Sequence, residues 1–284
     1  MHYLTRRIAF EASHHYHIPD ISDAENYALF GPTANRNGHG HNYVVEVTVK
    51  GDLQPENGMV INIVELNRLL EERVVAYYDH KHINHQHLVF ANNPYLQPTS
   101  ENLAIEIWKA LEPHLEGASL HCVMLHENST LFAHYYGADE MVYLTKVYEF
   151  SASHRLHSPY LSDAENQEIF GKCNNQHGHG HNYILEVTVT GAVDQRTGTI
   201  ADLDFLDETV QKQVYARFDY KHLNHDTVEF ETLNPTSENF VKVLWDLLEP
   251  SLSPVKLYRL RLRETPKSYF DYYGDEPTDE KPSD

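Results

Sequence analysis

The first half of this chain is written again in its second half. Phe10-Glu11-Ala12-Ser13-His14 returns as Phe150-Ser151-Ala152-Ser153-His154, an offset of 140 from Phe10 to Phe150. Ser22-Asp23-Ala24-Glu25-Asn26 returns as Ser162-Asp163-Ala164-Glu165-Asn166, and Gly38-His39-Gly40-His41-Asn42-Tyr43 as Gly178-His179-Gly180-His181-Asn182-Tyr183. Asp79 returns as Asp219. Beyond it the offset drops to 137: Pro98-Thr99-Ser100-Glu101-Asn102 matches Pro235-Thr236-Ser237-Glu238-Asn239, and Glu127 matches Glu264. One loop three residues shorter in the second copy accounts for the change. A period this long is not a solenoid repeat. The chain therefore reads as two homologous domains, 1–140 and 141–274. The tail, residues 275–284 (DEPTDEKPSD), is expected to be disordered.

Each copy has one coarse pattern. In the first, residues 3–13 read as a strand, and Asn42 to Lys50 alternates as a second strand. Ile63 to Tyr77 has helical spacing, with Leu66, Leu69, Leu70, Val74 and Tyr77 on one broad face. Thr99 to Leu111 opens on Thr-Ser-Glu-Asn, a plausible cap with early acids, and reads as a second helix. Leu120 to Glu127 and Thr130 to Tyr136 read as a closing hairpin. The order ββααββ implies an α+β domain, an antiparallel sheet with two helices on one face. The other face also needs cover, so a homo-oligomer is expected.

Composition narrows the partners. The 284 residues include 22 Lys+Arg and 42 Asp+Glu, for a net charge of −20. That balance opposes nucleic-acid binding, which needs a basic footprint, and opposes an anionic membrane surface. No apolar run approaches the roughly 20 residues of a membrane helix. The first ten residues lack the apolar stretch of a signal peptide. Cys122 and Cys173 are the only cysteines, too few for a disulfide framework, and a reducing cytoplasm fits.

The 21 histidines are the unusual count, and they cluster. His39-Gly40-His41 opens the second strand, and residues i and i+2 of a strand share a face. His14, at the end of the first strand, could supply a third imidazole alongside them. Three neutral imidazoles without a fourth protein ligand favour Zn²⁺ with an open position. His154, His179 and His181 repeat the arrangement, so one Zn²⁺ is expected per repeat. The other histidines, among them His15, His17, His82, His85, His87 and His134, read as surface or supporting residues. Cys122 lies in an apolar strand and reads as a small core residue.

At this point the residues resemble a known family. The segment SASHRLHSPYLSDAENQEIFGKCNNQHGHGHNY (151–183), with FDYKHLN, PTSEN and the late glutamate, closely resembles 6-pyruvoyltetrahydropterin synthases, and both copies share the likeness. The resemblance implies the tunnelling fold (T-fold), whose ββααββ units assemble into barrels, and a substrate of 7,8-dihydroneopterin triphosphate. It implies that His14, His39 and His41, and His154, His179 and His181, hold zinc. Cys173 matches the family's general base, and Asp79-His80 matches an Asp-His pair that a neighbouring subunit contributes to the triad. Glu264 and Glu127 match the glutamate that anchors the pterin. Thr236, Thr99, Glu238 and Glu101 lie in the segment that matches the pterin pocket.

Each copy departs from that pattern once. The cysteine position in the first repeat is Thr33, and the histidine position in the second is Tyr220. A threonine hydroxyl is too weak an acid to act as a thiolate base. The losses are complementary, so Cys173 is expected to meet Asp79-His80 across an interface, in three chains supplying six T-fold units. The expected activity is a zinc-dependent lyase making 6-pyruvoyltetrahydropterin with elimination of triphosphate. The alternatives are a 6-carboxytetrahydropterin synthase of queuosine biosynthesis and a non-catalytic pterin-binding protein.

Overall fold

The computed structural model describes residues 1–137 and 141–275, so all of the expected disordered tail except Asp275 lies outside the described residues. The chain forms two compact units. The first is Met1–Thr145 with Thr190–Ile200, and the second is Lys146–Val189 with Ala201 onward.

In the first unit, β1 (His2–His14), β2 (His39–Gly51), β3 (Lys81–His82), β4 (Ser119–Asn128) and β5 (Leu131–Tyr135) pair in the order β3-β1-β2-β4-β5. The ladders are antiparallel except for a two-residue parallel bridge from β3 to β1. Pleating sends Ile8, Phe10, Ala12, Tyr43, Val45, Val47 and Val49 to one face, where all are buried. The opposite face is polar rather than apolar: Thr5 pairs with Thr48 at 2.8 Å, and Arg7 approaches Glu46 at 3.9 Å. The cover expected for that face is therefore not required by apolar exposure. The second repeat has the same plan with β6 (Met141–His154), β7 (His179–Ala192), β8 (Lys221–His222), β9 (Lys256–Thr265) and β10 (Ser268–Tyr272), in the order β10-β9-β7-β6 with β8 beside β6. Each unit is thus α+β, with helices packed on its sheet.

The first long helix runs from Ile63 to Tyr78, and its middle turn, Glu71–Val75, is π-helical. The sequence explains the π turn. The residues buried at 1% exposure or less are Leu66, Leu70, Val74 and Tyr78, one every four residues. An α-helix turns in 3.6 residues, so that spacing drifts by about 40° per step. A wider turn absorbs the drift and keeps the row facing the sheet. Tyr77, expected on the buried face, is consequently 40% exposed, and Tyr78 takes its place. Leu206, Val210, Val214 and Phe218 repeat the spacing over a second π turn, Gln211–Tyr215.

The second helix, Ser100–Leu111, is capped by Thr99, whose side chain accepts from Asn102 N–H. A further helix, Asp23–Phe30, was not anticipated. Ser22 and Glu25 form a reciprocal capping box at its start.

Candidate metal centre

The β1–β2 register builds the first histidine group. His14 lies directly opposite His39, and Ala12 opposite His41. Opposed residues share a face, and so do residues two apart, so all three imidazoles converge. Their ring centroids are 4.6, 5.0 and 5.1 Å apart, and their ligand atoms lie within 4.8 Å of one another. His154, His179 and His181 converge alike, at 4.7, 4.8 and 5.3 Å.

Both groups are arranged for a metal. His14 Nδ1 is hydrogen-bonded to the Pro98 carbonyl at 2.8 Å, and His154 Nδ1 to the Pro235 carbonyl at 2.7 Å. A proton held there leaves the lone pair on Nε2, the outer-shell device that orients ligating histidines, with Tyr43 OH 3.3 Å from His14 Nε2. His39 Nδ1, His41 Nε2, His154 Nε2, His179 Nδ1 and His181 Nε2 are all buried without a hydrogen-bond partner. A bound cation would satisfy them at once, so the donor sets fit a tetrahedral zinc with one position open. Burial holds His14 down to about 3, and burial likewise lowers His39, His154 and His181. These imidazoles are therefore neutral and able to ligate at physiological pH.

One glutamate faces each group. Glu264 Oε1 lies 3.3 Å from His154 Nε2 and 3.5 Å from His181 Nε2. Glu127 Oε1 lies 3.5 Å from His41 Nε2, while its other oxygen accepts from Ser100 Oγ at 2.7 Å. The pterin-pocket candidates differ between copies. Thr99 and Glu101 are buried: Thr99 donates to the Gly198 carbonyl, and Glu101 accepts from Ile200 N–H at 3.1 Å. Burial, with Glu127 adding to it, raises Glu101 to about 7. In the second unit Thr236 caps its helix through Asn239 N–H, and Glu238 is exposed.

The two substituted positions are equally clear. Cys173 is half-buried on a tight turn after the Asp163–Phe170 helix, and its carbonyl accepts from Leu156 N–H at 2.9 Å. Thr33 keeps the same backbone bond, its carbonyl accepting from Tyr16 N–H at 3.0 Å. Its hydroxyl, however, donates to the Phe30 carbonyl at 2.6 Å. That donor is already spent.

His80 and Tyr220 share a strained backbone, each with φ of 55°. Non-glycine residues adopt it at a cost of about 1–2 kcal/mol. The turn is pinned twice: His80 N–H donates to the Glu11 carbonyl at 2.6 Å, and Asp79 Oδ1 accepts from Glu11 N–H at 3.1 Å. Asp79 Oδ2 meets His80 Nδ1 at 2.9 Å. That bond raises the imidazole above its ordinary value. The ring is 76% exposed, and among the described residues only Glu11, at 3.7 Å, pairs with it besides Asp79. The dyad is thus formed and directed outward. Asp219 and Tyr220 keep the turn, with bonds to Ser151 of 2.8 and 2.7 Å, and the tyrosine is 86% exposed.

Of the remaining histidines, read as surface or supporting residues, His15, His87 and His134 are buried. His15, His82 and His85 form a third group with ligand atoms within 4.8 Å of one another. Cys122 is buried in β4 as expected. Among the described residues, no helix is long and apolar enough to cross a membrane.

Comparisons with known proteins match each copy separately. The family model described as 6-pyruvoyl tetrahydropterin synthase matches residues 3–138 and again 143–275. A 6-pyruvoyl tetrahydrobiopterin synthase of Drosophila melanogaster is 46% identical over 138 residues, 48% of this chain and 82% of that protein. The protein of that name from Homo sapiens is 41% identical over 126 residues, 44% of this chain and 87% of its own. The solved 6-pyruvoyl tetrahydropterin synthase of Caenorhabditis elegans, 42% identical, matches 48% of this chain and 96% of its own, with a TM-score of 0.46.

Proposed function

This chain belongs to the 6-pyruvoyl tetrahydropterin synthase family, with two copies of the family's domain, and from that premise we propose that it is a zinc-dependent lyase. It converts 7,8-dihydroneopterin triphosphate to 6-pyruvoyltetrahydropterin and releases triphosphate. The observation that carries the reading is the convergence of three imidazoles in each copy, with ring nitrogens buried and left without a hydrogen-bond partner.

His154, His179 and His181 would hold one zinc, and His14, His39 and His41 a second. A bound zinc supplies Lewis acidity, which raises the acidity of C–H bonds beside the substrate's side-chain hydroxyls. Glu264 accepts hydrogen bonds from the pterin amino group and ring N–H, which fixes the ring. Cys173 then takes the side-chain proton as thiolate. His80 lowers the cost of that thiolate by carrying positive charge beside it, and Asp79 orients the imidazole and supports its charge. We propose that a neighbouring chain brings this dyad, because His80 faces outward and Tyr220 cannot replace it. Thr33, with its hydroxyl engaged by Phe30, leaves the first copy's centre without a base.

Mass spectrometry of products from zinc-loaded protein tests the reaction. A new pterin with released triphosphate supports it, and its mass separates the pyruvoyl product from the carboxy one. Unchanged substrate overturns it. Subunit exchange tests the shared site: C173A and H80A should each be inactive, and their refolded mixture should regain about a quarter of wild-type activity, the random chance of pairing an intact cysteine with an intact dyad. A fully active H80A would end the shared-site reading.

A further inference from the structure

The third histidine group lies outside this machinery and exists in one copy only. His15 follows the last residue of β1, so its ring points away from the side taken by His14. The parallel bridge sets Ser13 opposite His82. That brings His82, and His85 one turn later on the Ile83–Gln86 helix, beside His15. Asn84 locks the arrangement: its Oδ1 accepts from His15 N–H at 3.0 Å and its Nδ2 donates to the His15 carbonyl at 2.9 Å. Ring centroids are 4.4 Å apart for His82 and His85, 5.3 Å for His15 and His82, and 5.7 Å for His15 and His85.

The polar bookkeeping of this cluster is incomplete without a ligand. His15 Nδ1 and both ring nitrogens of His82 are buried with no hydrogen-bond partner. The His82 ring occupies space that Gly38 leaves open; at φ +78° a Cβ there would stand 2.7 Å from His82 Nε2. Arg36, the cation in reach of His15, is itself paired with Asp23 at 2.7 Å and contacts His17.

The second copy is a natural comparator. Asn224 clamps the matching backbone with bonds of 2.8 and 3.0 Å, and His222 and His225 keep the 4.4 Å spacing. The clamped residue there is Arg155, whose guanidinium turns to Asn174 and His157. A permanent cation cannot ligate a metal. The scaffold is common to both copies, and only the third imidazole distinguishes them.

We propose that His15, His82 and His85 form a further metal site, unique to the first repeat, that takes a borderline divalent transition cation such as Zn²⁺. Three imidazoles without carboxylate or thiolate suit zinc, copper or nickel and disfavour magnesium or calcium. The ion ties the end of β1 to the loop that carries Asp79-His80, which begins three residues before His82.

The test is Zn²⁺ stoichiometry of the chelator-stripped full chain, measured by competition with a chromophoric chelator. H85A alters an exposed side chain, and H15R installs the residue that the second copy already tolerates. H114A, at another exposed histidine, is the control. Each of the first two should bind one zinc fewer per chain than wild type, and H114A the same number. Equal stoichiometry in H85A, H15R and wild type overturns the proposal. The difference is the readout, so it does not depend on the other two centres. If those fail to bind zinc, the wild-type total falls but the lost equivalent in H85A remains.

Discussion

Glu101 offers a prediction whose size follows from its surroundings. It is 3% exposed, and burial with the nearby Glu127 raises it from an ordinary 4.5 to about 7. A carboxyl with a raised folded-state value favours folding while it is protonated. Its contribution is complete below about 4.5 and is lost as pH climbs through about 7. At ~1.4 kcal/mol per pH unit, the span from 4.5 to 7 is worth about 3 kcal/mol. E101Q keeps an oxygen to accept from Ile200 N–H and never ionises. It should therefore match wild type below pH 4.5, gain on it progressively, and exceed it by about 3 kcal/mol at pH 8. Urea unfolding of both stripped proteins at pH 4.5, 6, 7 and 8, at one chain concentration, measures this, and titrations common to both cancel in the difference. A stability difference independent of pH would refute the reasoning, as would an E101Q that is weaker at pH 8.

Other outcomes follow from the same geometry. D79N removes the carboxylate charge that helps raise His80, so the limb of the kcat/KM profile that titrates with that imidazole should move to lower pH; an unmoved limb would separate His80 from the reaction. H14A and H154A should each lower bound zinc by one equivalent per chain, read by elemental analysis of the reloaded protein. Under the proposed shared site, T33C alone should leave turnover unchanged, because the position that would complete it holds Tyr220. T33C with Y220H should raise kcat per chain by up to about two-fold, one further complete site.

What the sequence made legible was local. His39-Gly40-His41 declares two imidazoles on one strand face, and β1 ends on the residue that opposes His39. The Ser22–Glu25 capping box was equally visible, yet the helix it opens has a weak apolar pattern, with Asn26 its one buried residue. The four-residue row at Leu66, Leu70, Val74 and Tyr78 looked like an ordinary helix face because a π turn has no composition of its own. The His15 group was illegible for another reason. Its members lie 67 residues apart from His15 to His82, and only the parallel bridge of β3 to β1 brings them together. Equally, the engagement of the Thr33 hydroxyl by Phe30 required coordinates.

The turns at His80 and Tyr220 show how the two copies have diverged. A left-handed residue other than glycine, asparagine or aspartate costs free energy, and surrounding bonds must over-determine it. Both copies hold it with the same two bonds to the first strand of the sheet, through Glu11 in one and Ser151 in the other. In the first copy the second aspartate oxygen then orients an imidazole. In the second, the same turn presents a phenol that Asp219 does not engage. The left-handed turn at Tyr220 is thus held by the first strand of its own copy, whatever side chain it presents. Thr33 fits the same logic, since the backbone bond from Tyr16 persists and only the reactive atom has changed. Both copies keep the same backbone frame at these positions, and they differ in the side chains it carries.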